Sequence, residues 1–264
     1  MNTTSSTAPG AVATAAQPES RLWRWLVLGA VLGNLLCNYV AQRYPFNGQT
    51  NAVVSGKYYT LLTPAGYAFS IWGLIFLGIL VYAIWQLLPA QRRQPLPTAV
   101  AEPFILANVA TAGWLVAFAY EKLAVSVLIM LVILASLAVA YSRARRLVRS
   151  GQAGWASSIP LGLYFGWITV ATVLNVSLWL STVWQPSAST ATTVAMLLLN
   201  VVLVLGVVVT HQFRELAYPL TLAWGLVGIG LARSGNAPGL AGVALSAALT
   251  LVAAAAWLVW QKRR

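Results

Sequence analysis

Long stretches without a charged residue alternate with short clusters of Lys, Arg, Pro and Gly along almost the whole chain. A bilayer core of about 30 Å needs about 20 consecutive apolar residues to be crossed by one helix. On that measure there are eight candidate spans, at roughly residues 22–42, 65–88, 103–120, 122–142, 158–182, 191–210, 216–232 and 239–260. Only Glu121 and Lys122 separate the third and fourth runs. Together these runs hold about 40 residues, too many for one crossing, which predicts a tight helical hairpin. Pro64, Pro103, Pro160 and Pro238 lie near the starts of runs, and Pro219 lies in the first turn of the seventh. Proline's missing N–H costs least there. Residues 1–20 are small, polar or Pro-containing and predict a disordered tail. Arg21 and Arg24 follow this tail and directly precede the first apolar run, the order expected of an uncleaved first helix rather than a signal peptide.

Composition supports lipid as the main solvent. Hydrophobic residues make up 59% of the 264 positions and charged residues 8%, with a mean hydropathy of +0.77. A soluble domain carries about 25% charged residues. The net charge of +12 does not point to nucleic acid, because the basic residues sit between apolar runs, where they set topology. With eight spans and the N-terminus inside, the inner side receives Arg21, Arg24, Arg92, Arg93, Arg143, Arg145, Arg146, Arg149, Arg214, Lys262, Arg263 and Arg264. The outer side receives Arg43, Lys57, Lys122 and Arg233. Twelve against four predicts cytoplasmic termini. Seven spans would put the C-terminal basic cluster outside. The expected fold class is therefore all-α, a polytopic membrane helix bundle.

The chemistry available inside that bundle is sparse. Asp is absent, and Glu102, Glu121 and Glu215 sit at ends of apolar runs rather than in their middles. A proton relay or paired-acid mechanism wants intramembrane carboxylates. Cys37 and His211 are single, so neither a disulfide nor a metal site is offered. No phosphate-binding loop, dinucleotide fingerprint or nucleophile elbow occurs. No catalytic residue, metal or required cofactor is therefore expected.

Tryptophan is the unusual feature. Of twelve, Trp72, Trp114, Trp167, Trp179 and Trp224 fall inside predicted spans. Such rings either pack helices together or offer flat faces and single N–H donors to a ligand. Asn34, Asn38, Asn108, Thr169, Thr172, Asn175 and Asn200 also lie within spans and are expected to face the bundle interior, since an amide in hydrocarbon needs a partner. Gly29–Gly33 and Gly162–Gly166 have the spacing that lets two helices approach closely, in a dimer or internally.

One helix carries a more specific pattern. The fifth run contains Tyr164, Trp167, Ala171, Thr172, Leu174, Asn175 and Trp179 in ungapped register, four residues after Pro160. The second run reads Thr63-Pro64-Ala-Gly66-Tyr67-Ala-Phe69-Ser-Ile-Trp72, and the third holds Trp114 and Phe118. These segments resemble the tryptophan-rich sensory protein family (TspO/MBR, which includes the mitochondrial translocator protein). Tyr67 stands where that family usually has Trp. The resemblance implies a five-helix bundle over residues 21–185, followed by three additional helices over 186–264, as in a longer bacterial branch. It also implies a bacterial cytoplasmic membrane location and a possible homodimer. The implied pocket binds porphyrins or other flat hydrophobic ligands and would be lined by Trp72, Trp114, Tyr164, Trp167, Ala171 and Asn175. Residues 43–64 would form a lid, with Tyr58 and Tyr59 closing over the ligand.

Two functional classes follow. The first is a membrane receptor or sensor for a tetrapyrrole-like ligand, with light-dependent porphyrin breakdown implied by some family members. The second is a secondary transporter for a small hydrophobic or amphipathic molecule, made more plausible by the three added helices. Inverted repeats, which would favour the second, are not seen in the sequence.

Overall fold

The computed structural model describes residues 18–58 and 60–261. The first seventeen residues of the expected tail, Tyr59 and the last three basic residues lie outside the described residues. Helices run over Pro18–Arg43 (α1), Asn51–Lys57 (α2), Ile71–Trp85 (α3), Pro95–Ala119 (α4), Leu123–Arg149 (α5), Ile159–Val183 (α6), Ala188–Phe213 (α7), Ala217–Arg233 (α8) and Pro238–Gln261 (α9). A 3₁₀ turn, Gly66–Ser70, leads into α3. Among the described residues there is no strand, and the protein is a polytopic helical bundle.

Among the described residues, seven helices are long and apolar enough to cross a membrane by length and composition. The eighth long helix, α8, has 17 residues and reaches about 25 Å. Short turns join it to α7 and α9 at opposite ends, so it runs back between them, shorter than α7 with 26 residues or α9 with 24. Gly162 and Gly166 of α6 face Ala217, Tyr218 and Thr221 of α8, and Gly225 of α8 faces Val170 of α6. An added Cβ at Gly166 would lie 2.9 Å from the Tyr218 carbonyl oxygen, so the small-residue pair is spent inside the chain. The other pair, Gly29 and Gly33, meets nothing within 4 Å.

Boundaries differ from the sequence reading where proline and glutamate looked like punctuation. α4 begins at Pro95, eight residues before the expected start, so Pro103 lies inside the helix. Proline cannot donate to the carbonyl four residues earlier. The freed Ala99 oxygen accepts instead from Arg143 Nη1 of α5, at 3.1 Å. Glu102 likewise lies within α4 and points outward, exposed, while Val100, Ala101, Pro103 and Phe104 are buried on the other side. Helix α3 begins only at Ile71 because Gly66–Ser70 winds as 3₁₀. α5 runs on to Arg149, carrying four arginines on its last turns. The 120–122 hairpin between α4 and α5 is as expected.

Hydrogen bonds clip the bundle at both ends, from charged side chains at one and from a backbone amide and an indole at the other. At the end holding both termini, buried Arg24 donates to the Gln86 and Gln91 oxygens at 2.7 and 2.8 Å, tying α1 to the α3–α4 connection. Buried Arg145 donates to the Phe213 oxygen at 2.8 Å and to Ser158 Oγ at 3.0 Å. Glu215 accepts from the Ala217 and Tyr218 amides at 2.6 and 3.0 Å, capping α8, and from the Tyr141 hydroxyl at 3.1 Å. Free N–H groups at a helix start favour such a carboxylate. At the opposite end α8 holds the approach to α3. The Ala65 amide donates to the Gly228 oxygen at 2.9 Å, and Trp224 Nε1 donates to the Ala68 oxygen at 2.9 Å.

Most in-span amides and hydroxyls face inward. Asn34 donates to Asn108 at 2.9 Å, Asn38 donates to Asn34 at 2.8 Å, and Thr169 and Thr172 bond to carbonyls one turn back. Asn200 does not follow the expectation. It is exposed, because α7 packs through Ala195, Leu199, Val202, Gly206 and Thr210, which lie on the opposite side of the helix.

Candidate ligand-binding site

Side-chain spacing on three helices makes the site. On α6, Trp167, Ala171, Leu174, Asn175 and Leu178 recur at intervals that place them on one face. On α4, Thr111, Trp114 and Phe118 do the same, and on α3 Trp72 and Phe76 are one turn apart. The faces converge, with Asn38 and neighbouring residues of α1, on a cavity of about 470 Å³. Asn51, Ala52 and Ser55 of α2 cover it from the loop end.

The walls are aromatic and preset by ring contacts. Trp72 stacks on Phe76 at 5.1 Å between centroids and meets Trp167 edge-on at 6.3 Å. Phe69 meets Trp167 edge-on at 5.8 Å, and Trp114 stacks on Phe118 at 4.7 Å. Offset and edge-on pairs of this kind are the favourable arrangements of aromatic quadrupoles. No lining residue carries a charge, so the cavity suits an apolar body with a few polar contacts.

Polar groups at the wall are held in defined orientations. Trp114 Nε1 donates to Asn175 Oδ1 at 2.7 Å, and Asn175 Nδ2 donates to Ser126 Oγ at 2.8 Å. Thr111 and Tyr164 share a hydroxyl hydrogen bond of 2.6 Å. Trp167 Nε1 is buried without an acceptor among the described residues. A buried donor left unpaired costs about 1–3 kcal/mol, so this indole holds a donor in reserve.

Five of the six residues expected at the site, Trp72, Trp114, Trp167, Ala171 and Asn175, line this one cavity. Tyr164 is fully buried behind it, edge-on to Trp72 at 6.0 Å and bonded to Thr111, and is not a lining residue. The other two in-span tryptophans serve packing. Trp224 clips α8 to Ala68, and Trp179 packs against the small core cluster of Val54, Phe118, Leu123, Leu174 and Leu178.

The cover over the cavity has a latch that sequence reasoning did not find. Glu121, in the α4–α5 turn, accepts from Lys57 Nζ at 2.6 Å, Tyr58 Oη at 2.6 Å and Gln49 Nε2 at 2.8 Å. All three donors belong to the segment around α2. The contacts hold the Glu121 carboxyl down to about 2, with the Lys57 hydrogen bond the largest cause. The same carboxylate pushes the Tyr58 hydroxyl up, chiefly through its hydrogen bond. Tyr58 thus acts on the cover by bonding Glu121, not by facing the cavity.

Glu121 also has an unusual backbone. The Glu121 and Lys122 amides bond back to the Phe118 and Ala117 oxygens, the double bond of a Schellman helix end. That motif needs a left-handed residue, normally Gly, and Glu121 adopts it with φ 55°. The end of α5 uses the same motif with Gly151, φ 75°. The only sequence signal for the latch was an isolated acid in a two-residue gap between apolar runs.

A family model described as TSPO-like protein matches residues 24–257. The chain belongs to the TSPO-like protein family. The match takes in α7, α8 and most of α9 as well as α1–α6, so membership covers the whole multi-pass helical bundle. Comparison with curated proteins found no match, and comparison with solved structures found none either.

Proposed function

We propose that the protein is a membrane receptor or sensor that binds a flat hydrophobic ligand of the tetrapyrrole class in the cavity beneath α2. The observation that carries this reading is the convergence of Trp72, Trp114 and Trp167, from three different helices, on one covered space. Indole faces suit a planar conjugated ring, and about 470 Å³ lies within the usual range for pockets that bury a small molecule. The reserved Trp167 N–H is available to a polar edge of the ligand, and Asn38, whose amide nitrogen donates to Asn34, offers its side-chain oxygen. Family membership agrees with the reading but does not select the ligand.

The test is a titration of purified protein with protoporphyrin, followed by tryptophan quenching, in wild type and in Trp167→Phe. Saturable binding that weakens in the variant supports the proposal. Absence of quenching, together with flux of a small amphipathic solute into proteoliposomes, would replace it with a transporter.

We also propose that both termini are cytoplasmic, in a bacterial cytoplasmic membrane. Among the described residues the end holding the termini carries Arg21, Arg24, Arg92, Arg93, Arg143, Arg145, Arg146, Arg149 and Arg214, against Arg43, Lys57, Lys122 and Arg233 at the other. Nine against four is the bias that retains loops inside. Labelling of single cysteines at positions 93 and 57 in intact cells checks this. Labelling of the first but not the second by an impermeant reagent reverses the orientation.

A further inference from the structure

A short turn joins α6 to α7, yet α7 packs mainly on α9 and α8 rather than on α6. The gap between α6 and α7, at the end opposite the termini, is a second cavity of about 340 Å³. Ala191 and Ala195 line it from α7 with small side chains, and Leu61 and Leu62, from the stretch after α2, form a further wall. No residue lines both this space and the cavity beneath α2.

Polar and apolar groups are sorted along its depth. Trp184 and Gln185 stand exposed at the mouth, and an aromatic ring at a helix end belongs to the headgroup level. Ser181 and Ser177 lie two and six residues before the end of α6 at Val183, about 3 and 9 Å inward. Val194 and Leu198 lie six and ten residues into α7 from Ala188, about 9 and 15 Å inward. The deepest point therefore approaches the middle of a hydrocarbon core of about 30 Å.

The serine hydrogens are already spent. Ser177 Oγ donates to the Val173 oxygen at 2.9 Å, and Ser181 Oγ donates to the Leu178 oxygen at 2.8 Å. Their lone pairs remain free to accept, so the head of an occupant must donate. Among the described residues no charge lines the space. A carboxylate, phosphate or ammonium head would be buried there without a counter-charge, at high cost. A hydroxyl meets both conditions, and Gln185 at the mouth can bond it in either direction.

We propose that this cavity binds an uncharged, single-chain lipid with a hydroxyl head, of the monoacylglycerol class, drawn from the surrounding leaflet. The head donates to Ser177 and Ser181, and the chain runs inward past Val194 to Leu198. A space of about 340 Å³ drawn out over that depth is narrow, with room for one alkyl chain.

The test uses full-length protein in phosphatidylcholine vesicles and 1-monooleoylglycerol carrying a diazirine near the end of its chain. Photolysis of the wild type is expected to label the peptide holding Val194 and Leu198, saturably. Unlabelled 1-monooleoylglycerol should compete, and oleate or methyl oleate at least about tenfold less well, because one brings a charge and the other no donor. Ser181→Ala should weaken binding about two- to tenfold, the worth of one neutral hydrogen bond. Ala191→Phe, which fills the space, should abolish labelling, and Leu205→Phe, exposed elsewhere on α7, should not change it. Unsaturable labelling, the mark of bulk lipid only, would overturn the proposal. So would equal competition by oleate, which needs no variant to fold. Labelling that protoporphyrin displaces, or that falls on the peptides of Trp72 and Trp114, would place the lipid in the other cavity instead. The saturable labelling stands whether or not protoporphyrin binds, so the two proposals fail separately.

Discussion

The two sides of α6 are built on opposite plans. Toward α8, Gly162 and Gly166 let the backbones approach until a single added carbon would collide. Toward the cavity, the same helix sets Trp167, Ala171 and Asn175 around about 470 Å³ of open space. Val170 joins the two plans, resting on Gly225 of α8 while also lining the cavity. The contrast shows how an open pocket is kept from collapsing. One wall is over-supported from behind, so apolar rings can stand apart in front of it. Close packing at the back costs side-chain volume, and the cavity at the front forgoes dispersion contacts.

The largest expected effect comes from breaking the tight side. In Gly166→Ala the new Cβ meets the Tyr218 oxygen and Thr221 at 2.9 Å. We expect a loss of about 1–3 kcal/mol, the usual cost of overpacking, as an earlier midpoint in SDS unfolding. Gly29→Ala, which meets nothing, is the matched control. If both variants behave alike, α8 does not support α6.

Filling the open side should do the reverse. Ala171→Leu projects into the cavity and should leave the unfolding midpoint nearly unchanged. Protoporphyrin binding should weaken at least about tenfold, equivalent to about 1.4 kcal/mol. A variant that unfolds early but still binds would contradict the division between the two sides.

Smaller effects are expected at the cover. Glu121→Gln removes the charge that Lys57 pairs with and should speed ligand release by at most about fivefold, in keeping with an exposed ion pair. Stopped-flow displacement measures it. Unaltered release would mean that α2 closes the site without the latch.

The mildest prediction concerns pH. A carboxyl held at about 2 instead of its ordinary 4.5 stabilises the closed cover fully above the ordinary value. That contribution fades as pH falls from 4.5 toward 2. Release rates should therefore be flat from about pH 8 to about pH 5 with respect to this group. A Glu121-dependent step near neutrality would remove the latch from the account.

What the sequence made legible was whatever depends on residues close together in the chain. Long apolar runs located the helices, and the motif on α6 that resembles the tryptophan-rich sensory protein family picked out Trp167, Ala171 and Asn175, which line the cavity. Features closed by distant partners were hidden. Glu121 meets Gln49, Lys57 and Tyr58 across 63 to 72 positions. Pro103 looked like a helix start because nothing nearby could satisfy Ala99, and the partner is Arg143, 44 positions away from that carbonyl. Asn200 looked inward by a rule about single helices, whereas the packing of α7 through Leu199, Val202 and Gly206 turned it out. Tyr164 stood in the right motif one layer too deep.

The left-handed backbone at Glu121 has an evolutionary consequence. At Gly151 drift is constrained only by the turn, whereas position 121 answers to two masters: the turn favours glycine and the cover requires an acid. A lineage that replaced Glu121 with glycine would ease its hairpin and strand the lysine at 57. The two positions should therefore change together among relatives, and chains with glycine at 121 should also have lost the basic residue at 57.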